Sequence, residues 1–289
     1  MYFLCTQTTI TMKANDDLRV IKLIADLGLS FDCASKGEIL KILSYGVPAS
    51  RIVYANPVKQ HSYIKYAAET GVYLMTFDNE YELHKIKACF PEAKLVLRIL
   101  PPQFKATSLL GKKFGCPIDE VQRLLQLGKE LQLNIVGISF HVGSGCMEAK
   151  AFSVAIREAR KAYDIAEKLG FQLDLLDIGG GFPGHEDGLE SFSEKLKIYL
   201  KKEKLCTTST KASMPRSEKQ LLYNSSLWGP TCDSVDLIME SCILPELDVG
   251  DWIYFENLGA YALSACSTFN GFPLIDRVYT CQKDLSHFL

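Results

Sequence analysis

The sequence predicts an incomplete parallel βα barrel followed by a smaller β-rich domain. Short β-branched or apolar runs alternate with amphipathic segments, and this unit returns about every 22 residues through the first two thirds of the chain. Glycine or polar residues separate the runs, as is typical of parallel strands joined by helical crossovers. Beyond Leu205 the alternation stops and short strand-like runs follow, which indicates a second domain.

Seven βα units can be counted. The predicted strands lie, in order, in TTITMK, LSFDCA, RIVYAN, VYLMTFD, AKLVLRI, NIVGISFHVGS and LDLLDIGGG. The predicted helices lie in DDLRVIKLIADLG, KGEILKILSYG, HSYIKYAAETG, NEYELHKIKACF, IDEVQRLLQLGKELQ, EAKAFSVAIREARKAYDIAEKLG and LESFSEKLKIYLKK. Seven units are one short of a closed eight-stranded barrel, and a doubly wound open sheet is the alternative architecture.

The domain organisation follows from the change in character after the seventh unit. Residues 1–204 form the predicted incomplete barrel. Residues 205–222, which include TTSTKASMPRSEKQ, are polar and lack periodic apolar positions, so they read as a linker. Residues 223–289 carry runs such as DWIYFEN and DRVYTC between Gly, Pro, Asn and Asp, which predicts a partial β-rich domain.

Composition narrows the function classes. The formal net charge of the 289 residues is -2, with Lys+Arg 32 against Asp+Glu 34, so neither nucleic acid nor an anionic membrane is an expected partner. MYFLCTQTTITMK has no basic region ahead of an apolar segment, and we expect a cytoplasmic protein. The 10 cysteines are scattered singly without a C-x-x-C pair, which favours reduced thiols over disulfides or a metal site.

Chemistry-bearing residues follow the predicted strands. In a βα barrel the working side chains lie at the carboxyl ends of the strands, and phosphate sites commonly follow strands seven and eight. The candidates at these ends are Lys13, Asp32 with Cys33, Arg98, His141 and Ser144. The glycines of DIGGGFPG follow the seventh strand, where they allow a sharp turn, a close backbone approach or N–H groups that face an anion.

Each candidate also has an ordinary structural interpretation. Lys13 could be a solvated strand-end lysine, and His141 a hydrogen-bonded core histidine. Asp32 could cap the helix that begins near Lys36, and Arg98 could serve an internal ion pair. Taken together, the residues favour a phosphorylated carbonyl cofactor held by a lysine, since such a site needs an amine, a phosphate cradle and a group against the cofactor ring.

The motifs MKANDD, FDCASKGE, YANPVKQ, KYAAETGV, TFDNEYEL, AKLVLRI, SFHVGSGC, LLDIGGGFPG, LWGPTCD, VGDWIYFEN and STFNGF resemble eukaryotic ornithine decarboxylases and their close paralogues. The resemblance extends over most of the chain. It implies a pyridoxal-phosphate-binding βα barrel followed by a β domain, head-to-tail dimers, and conversion of ornithine to putrescine in polyamine biosynthesis.

The resemblance also implies roles for individual residues. Lys13 matches the lysine that holds the cofactor covalently, and His141 matches the imidazole that stacks on its ring. The matching phosphate-binding positions are Ser144, Gly181 and Tyr261, and we add Asp32, Arg98 and Gly180 as cofactor-binding candidates.

Two further roles fall in the motif LWGPTCD. Cys232 resembles the acid that returns a proton to the substrate after carbon dioxide leaves, whereas composition alone favours a buried core cysteine there. Asp233 resembles the carboxylate that receives the distal amine of the substrate. In the family both residues act across the dimer interface.

The sequence departs from the family pattern in three places. Family members carry a segment before the first barrel strand, whereas this chain starts almost at that strand. The eighth strand with its Glu-Pro-Gly-Arg motif has no counterpart, and neither has a later Tyr-Tyr-Val-Asn-Asp segment. In the family that Glu pairs with the pyridine nitrogen of the cofactor and that Arg binds phosphate.

Three interpretations of function therefore stay open. The chain is an ornithine decarboxylase-like enzyme with impaired catalysis, a non-catalytic antizyme-binding regulator that resembles antizyme inhibitor, or a mis-assembled product without function. The expected partners are a small basic amino acid, a homodimer or a heterodimer with a full-length paralogue, and antizyme. Residues 65–94 resemble the segment through which the family's decarboxylases contact antizyme.

Overall fold

The computed structural model describes residues 8–102, 113–144, 146, 148–182, 221–229, 237–249, 251, 253 and 255. Strands and helices alternate through the first part. The strands are β1 Thr9–Thr11, β2 Ser30–Cys33, β3 Ile52–Tyr54, β4 Leu74–Phe77, β5 Lys94–Arg98, β6 Asn134–Ser139 and β7 Leu175–Asp177. The helices are α1 Leu18–Asp26, α2 Lys36–Ser44, α3 His61–Thr70, α4 Glu80–Cys89, α5 Val121–Glu130 and α6 Ala149–Lys168, and a short 3-10 helix covers Ala49–Arg51.

Local sequence signals set the helix ends. Asp17, Ser35 and Asn79 precede α1, α2 and α4, and each side chain accepts a hydrogen bond from a first-turn N–H group. Such caps satisfy donors that the helix itself leaves unpaired. Helix α3 ends at Gly71, whose φ of 75° lies in the left-handed region that glycine adopts without strain.

The first seven strands form one parallel sheet in the order β1-β2-β3-β4-β5-β6-β7. Each strand pairs with the next along the chain, and within the described residues β1 and β7 pair with no eighth strand. The prediction of a βα barrel without its eighth strand is therefore confirmed, and the doubly wound alternative is wrong. A doubly wound sheet would reverse its strand order partway, which this sheet does not do.

The core lies between the strands and the helices. Its largest fully buried side chains include Phe31, Tyr54, Phe77, Phe140 and Phe152. The buried side chains of α6 include Ala155, Ala159, Ala162 and Ala166, which recur about every four residues and give this helix a narrow apolar face. The predicted seventh helix, 189–202, lies outside the described residues.

The chain divides into two units, Met1–Thr208 and Ser209–Leu289. In the second, β8 Leu222–Trp228 pairs antiparallel with β9 Leu237–Pro245. This hairpin carries exposed apolar residues on both strands, among them Leu222, Trp228 and Ile243. The predicted domain boundaries at 204 and 222 stay predictions.

The described residues also bear on membrane spans, thiols and metal-binding clusters. None of their helices is long and apolar enough to cross a membrane. Their five cysteines form no disulfide bond among themselves, and Cys33, Cys116 and Cys146 are buried, as expected of small apolar side chains. No cluster of metal-binding side chains occurs in this described part of the chain.

Candidate active site

The strand register sets the positions of the candidate residues at one end of the sheet. Thr11 of β1 stands opposite Asp32 of β2, and Arg98 of β5 stands opposite Ser139 of β6, which stands opposite Asp177 of β7. All of them lie at or beside the carboxyl ends of parallel strands. The sheet therefore brings these side chains together at the carboxyl-terminal end of its strands, which is called the mouth below.

Lys13 follows β1 in a turn. The preceding residue, Met12, is buried, and its N–H donates to the carbonyl of Asp32 at 2.9 Å, which fixes the start of the turn. The Lys13 side chain is exposed. Its positive charge acts on Asp32 and Glu38 of the second βα unit and on His141 of the sixth, so the amine interacts with groups from two other units.

Asp32 is held by β1. Its Oδ2 accepts a hydrogen bond from Thr11 Oγ1 at 2.8 Å. Burial raises the pKa of Asp32, while the Thr11 hydroxyl and the charges of Lys13 and Arg98 oppose the rise. The capping interpretation of Asp32 is wrong, because Ser35 caps α2 by accepting from the Glu38 N–H.

Arg98, at the end of β5, interacts electrostatically with three carboxylates. Burial lowers its pKa, and the negative charges of Asp78, Asp177 and Asp32 oppose the shift. The guanidinium carbon lies 5.1 Å from the ring centroid of Phe114, and Asp78 in turn accepts from the Gly115 N–H at 2.8 Å. Arg98 thus brings a fixed positive charge into the mouth.

His141 follows β6 and is neutral at neutral pH. Burial first, and then the charges of Arg98 and Lys13, lower its pKa to about 4. Its Nδ1 accepts from the Gly143 N–H at 2.9 Å, which leaves the proton of the neutral ring on Nε2. The imidazole is therefore an uncharged, oriented ring at the edge of the mouth.

The three glycines after β7 lie against the loop after β6. A Cβ on Gly179 would stand 2.2 Å from the carbonyl oxygen of Phe140, and one on Gly181 would stand 2.1 Å from that of Gly143. Gly179 and Gly181 also have φ values of +63° and +98°. Two of the three interpretations of the triplet, a sharp turn and a close backbone approach, therefore hold.

The N–H groups of Gly180 and Gly181 form no hydrogen bond within the described part of the chain. The Gly179 N–H, by contrast, donates to Asp177 Oδ1 at 2.8 Å. A Cβ on Gly180 would stand 3.1 Å from His141 Nε2, so this glycine lies directly beside the imidazole. Ser144 is exposed on the loop after β6.

Sequence reasoning missed two carboxylates that belong to this cluster. Asp177 ends β7, and burial raises its pKa while the Gly179 N–H and Arg98 oppose the shift. It could have been found by the strand-end rule that selected Asp32. Glu38 lies in the first turn of α2, where no strand-end signal points to it. The candidates Cys232, Asp233 and Tyr261 lie outside the described residues.

The fold and this cluster define a class. Residues 4–214 match the family of pyridoxal-dependent decarboxylases at its pyridoxal binding domain, and residues 196–259 match the C-terminal sheet domain of the same enzymes. The chain belongs to the pyridoxal-dependent decarboxylase family. Pyridoxal phosphate is the cofactor of that family.

Two relatives are similar to this chain over most of its length. The chain is 40% identical to antizyme inhibitor 2 of Xenopus laevis over 331 aligned positions, which cover 90% of this chain and 73% of the relative. It is 39% identical to ornithine decarboxylase of Mus musculus over 346 positions, which cover 95% and 75%. Both aligned lengths exceed the 289 residues of the chain, so each relative contains internal residues without a counterpart here.

Solved structures agree on the fold. The arginine decarboxylase of Paramecium bursaria Chlorella virus superposes with a TM-score of 0.81 at 29% identity, covering 92% of this chain and 87% of that one. Lysine decarboxylase of Selenomonas ruminantium gives a TM-score of 0.79 at 28% identity, covering 97% and 88%. A lysine decarboxylase mutant solved in complex with the cofactor gives 0.76 at 29%, covering 93% and 84%.

The residues at the mouth fit this cofactor. An exposed amine is available at Lys13, and a neutral ring is available at His141. Gly180 and Gly181 carry N–H groups without a partner in the described chain, next to that ring. Donors of this kind suit a phosphate.

Proposed function

We propose that this chain holds pyridoxal phosphate on Lys13 and is an ornithine decarboxylase-like protein whose decarboxylation is impaired by the missing eighth strand. The observation that carries the first part is the position of Lys13. Its amine is exposed at the carboxyl end of β1 and acts electrostatically on Asp32, Glu38 and His141. An amine at the carboxyl end of a barrel strand lies where a bound carbonyl cofactor would be attacked.

The neighbouring residues would hold the rest of the cofactor. His141 offers an uncharged ring face, held by the Gly143 N–H. Gly180 and Gly181 offer N–H groups to the phosphate, and the Ser144 hydroxyl is a further donor on the adjacent loop. Tyr261 is proposed as a further phosphate ligand on resemblance alone.

Catalysis needs more than cofactor binding. When bound, the cofactor withdraws electrons from the bond that breaks as carbon dioxide leaves, and it does so best when a carboxylate keeps its ring nitrogen protonated. The family's Glu for this task comes from the eighth strand. Losing one such charged contact costs roughly 10² to 10³ in rate.

The proposed substrate is a small basic amino acid. The named relatives include ornithine, arginine and lysine decarboxylases, whose substrates share a distal cationic group. Asp233 is proposed to receive that group, and Cys232 to return the proton, in a homodimer or in a heterodimer with a full-length paralogue. The family's second substrate carboxylate, in the Tyr-Tyr-Val-Asn-Asp segment, has no counterpart in the sequence.

Cofactor capture tests the proposal. The purified chain is mixed with pyridoxal phosphate, its absorbance spectrum is recorded before and after borohydride, and the labelled lysine is located by peptide mapping. We expect one label, on Lys13, and none after Lys13→Ala. Lys161→Ala, on the exposed face of α6, is the matched control and keeps the label. Label on another lysine, or undiminished label in Lys13→Ala, contradicts the assignment.

A second candidate function is binding of antizyme without catalysis. It is favoured by the relative at 40% identity, antizyme inhibitor 2. It is also favoured by residues 65–94, which run from α3 through β4 and α4 to the start of β5 and resemble the antizyme-contacting segment of the family. This segment exposes Lys65, His84 and Lys94. A pull-down with antizyme should retain the folded chain and lose it after Lys65→Glu, whereas Lys161→Glu should have no effect. No retention of the folded chain would refute this candidate.

A further inference from the structure

A buried ion pair joins the loop after β3 to α4, and neither of its residues is among the candidate cofactor-binding residues. Lys59 follows β3 and Glu82 belongs to α4, with side chains 0% and 1% exposed, and Nζ lies 2.8 Å from Oε1. Lys59 Nζ also donates to the carbonyl oxygens of Thr76 at 2.6 Å and Asn56 at 3.1 Å. All three donors of the ammonium are therefore used.

The Glu82 carboxylate also holds the backbone of the loop between β3 and α3, in addition to its pair with the Lys59 ammonium. The Lys59 N–H lies 3.3 Å from both oxygens of Glu82. On the outer side, Lys85 Nζ lies 2.5 Å from Glu82 Oε2 and 2.5 Å from the Lys59 carbonyl oxygen. The backbone from 56 to 59 is thus held from its inner and outer sides.

A continuous path of hydrogen bonds leads from this loop to the candidate active site. Asn56 Nδ2 donates to the carbonyl oxygen of Ala34 at 3.2 Å. The Ala34 N–H donates to Glu38 Oε2 at 2.5 Å. Glu38 in turn lies within electrostatic reach of Lys13. Both polar groups of Ala34 are therefore used to connect the loop to the carboxylate.

We propose that the Lys59–Glu82 ion pair is a positioning device, which acts through Asn56 and Ala34 to hold the Glu38 carboxylate at its place beside Lys13. The inference rests on the proposed role of Lys13. Burying two charges costs free energy, and two well-packed apolar side chains often stabilise a fold at least as much as a buried ion pair does. We therefore look for the contribution of this pair in the position of the groups that it contacts.

The charges around Glu38 set the expected effect. Burial raises the pKa of Glu38, the Ala34 N–H lowers it, Asp32 and Asp16 raise it, and Lys13 lowers it. The charges of Lys13 and Arg98 also act on Asp32 and His141. Loosening Ala34 removes a hydrogen bond that favours the charged carboxylate, so less negative charge faces the amine.

The test is the pH dependence of cofactor capture at Lys13, measured by borohydride trapping and peptide mapping of Lys59→Met and Asn56→Ala. Without the Ala34 hydrogen bond the Glu38 carboxylate takes up a proton more readily, so the negative charge beside Lys13 is lost at a higher pH and the capture profile should move by about half a pH unit. Asn56→Ala breaks the path without touching the ion pair, and it decides the question if Lys59→Met fails to fold. Lys161→Met is the matched control, since it removes an exposed lysine from its pair with Glu158 on α6 and touches neither the ion pair nor the loop.

A shift in Asn56→Ala, and in Lys59→Met if it folds, with the parent profile kept in Lys161→Met, supports the inference. A folded Asn56→Ala with the parent profile overturns it, and so does an equal shift in all three variants, which would indicate general loosening. No capture by the unmodified chain is a different result, because it overturns the proposed function and this inference with it.

Discussion

At the residue scale, the glycines after β7 allow two loops to come into close contact. Gly179 and Gly181 are required because the carbonyls of Phe140 and Gly143 occupy the space that a side chain would need. Gly180 stands beside the His141 ring instead. The triplet thus locks the loop after β7 to the loop after β6, and it is this contact that sets where the N–H groups point.

Gly181→Ala should therefore be strongly destabilising. Its Cβ would stand 2.1 Å from the Gly143 carbonyl oxygen at a φ of +98°, so backbone strain and overlap add up to at least about 3 kcal/mol. Gly170→Ala is the matched control, because its φ is +90° but no atom lies within 4 Å of the new Cβ, and it should cost about 1 to 2 kcal/mol. Urea unfolding compares the two; equal losses would count against the close approach.

His141 predicts a pH dependence of stability. Its pKa falls from 6.5 to about 4 on folding, so the unfolded chain binds the proton more readily between these values. The contribution of neutral His141 is present above pH 6.5 and is lost as the pH falls towards 4. Between pH 7 and pH 5 this amounts to about 1 to 2 kcal/mol.

Urea unfolding at the two pH values measures this contribution. His141→Gln should lose less stability than the parent chain between pH 7 and pH 5. His84→Gln, on the exposed side of α4, should keep the parent's full loss. An unchanged loss in His141→Gln would mean that the imidazole is protonated as easily in the folded chain as in the unfolded one.

At the scale of elements, the buried Lys59–Glu82 pair joins the end of β3 to α4. Lys59→Met leaves Glu82 buried with Lys85 as its remaining partner, which should cost about 3 to 5 kcal/mol. Lys161→Met, which breaks an exposed pair with Glu158, should cost less than about 1 kcal/mol. Thermal unfolding of both variants measures the difference, and a small loss in Lys59→Met would mean that water reaches Glu82.

How far the elements could be predicted depends on how local their signals are. The predicted helices KGEILKILSYG and NEYELHKIKACF begin where Ser35 and Asn79 cap α2 and α4, and each of the seven predicted barrel strands contains an observed one. The cluster around Lys13 was only partly predictable. Glu38 enters it through the Ala34 hydrogen bond and Asp177 through the register of β6 and β7, and such long-range contacts leave no periodic signal.

At the scale of the whole molecule, the sheet stops at seven strands where a closed barrel has eight. The described residues leave β1 and β7 without a partner on their outer sides. Unpaired strand edges expose N–H and C=O groups and invite association. The aligned lengths of the relatives agree with an internal block that this chain lacks. The sequence thus keeps Lys13, His141 and the glycine loop, while the Glu-Pro-Gly-Arg motif has no counterpart in it.

The central claim is that cofactor binding and catalysis are separated in this chain. It is tested most directly by release of labelled carbon dioxide from ornithine, measured beside mouse ornithine decarboxylase at equal protein and saturating pyridoxal phosphate. The account predicts a rate lower by roughly 10² or more, because the eighth-strand carboxylate is absent. A rate within about tenfold of the relative, abolished by Lys13→Ala, would contradict it, since that chain would catalyse the reaction without the eighth strand.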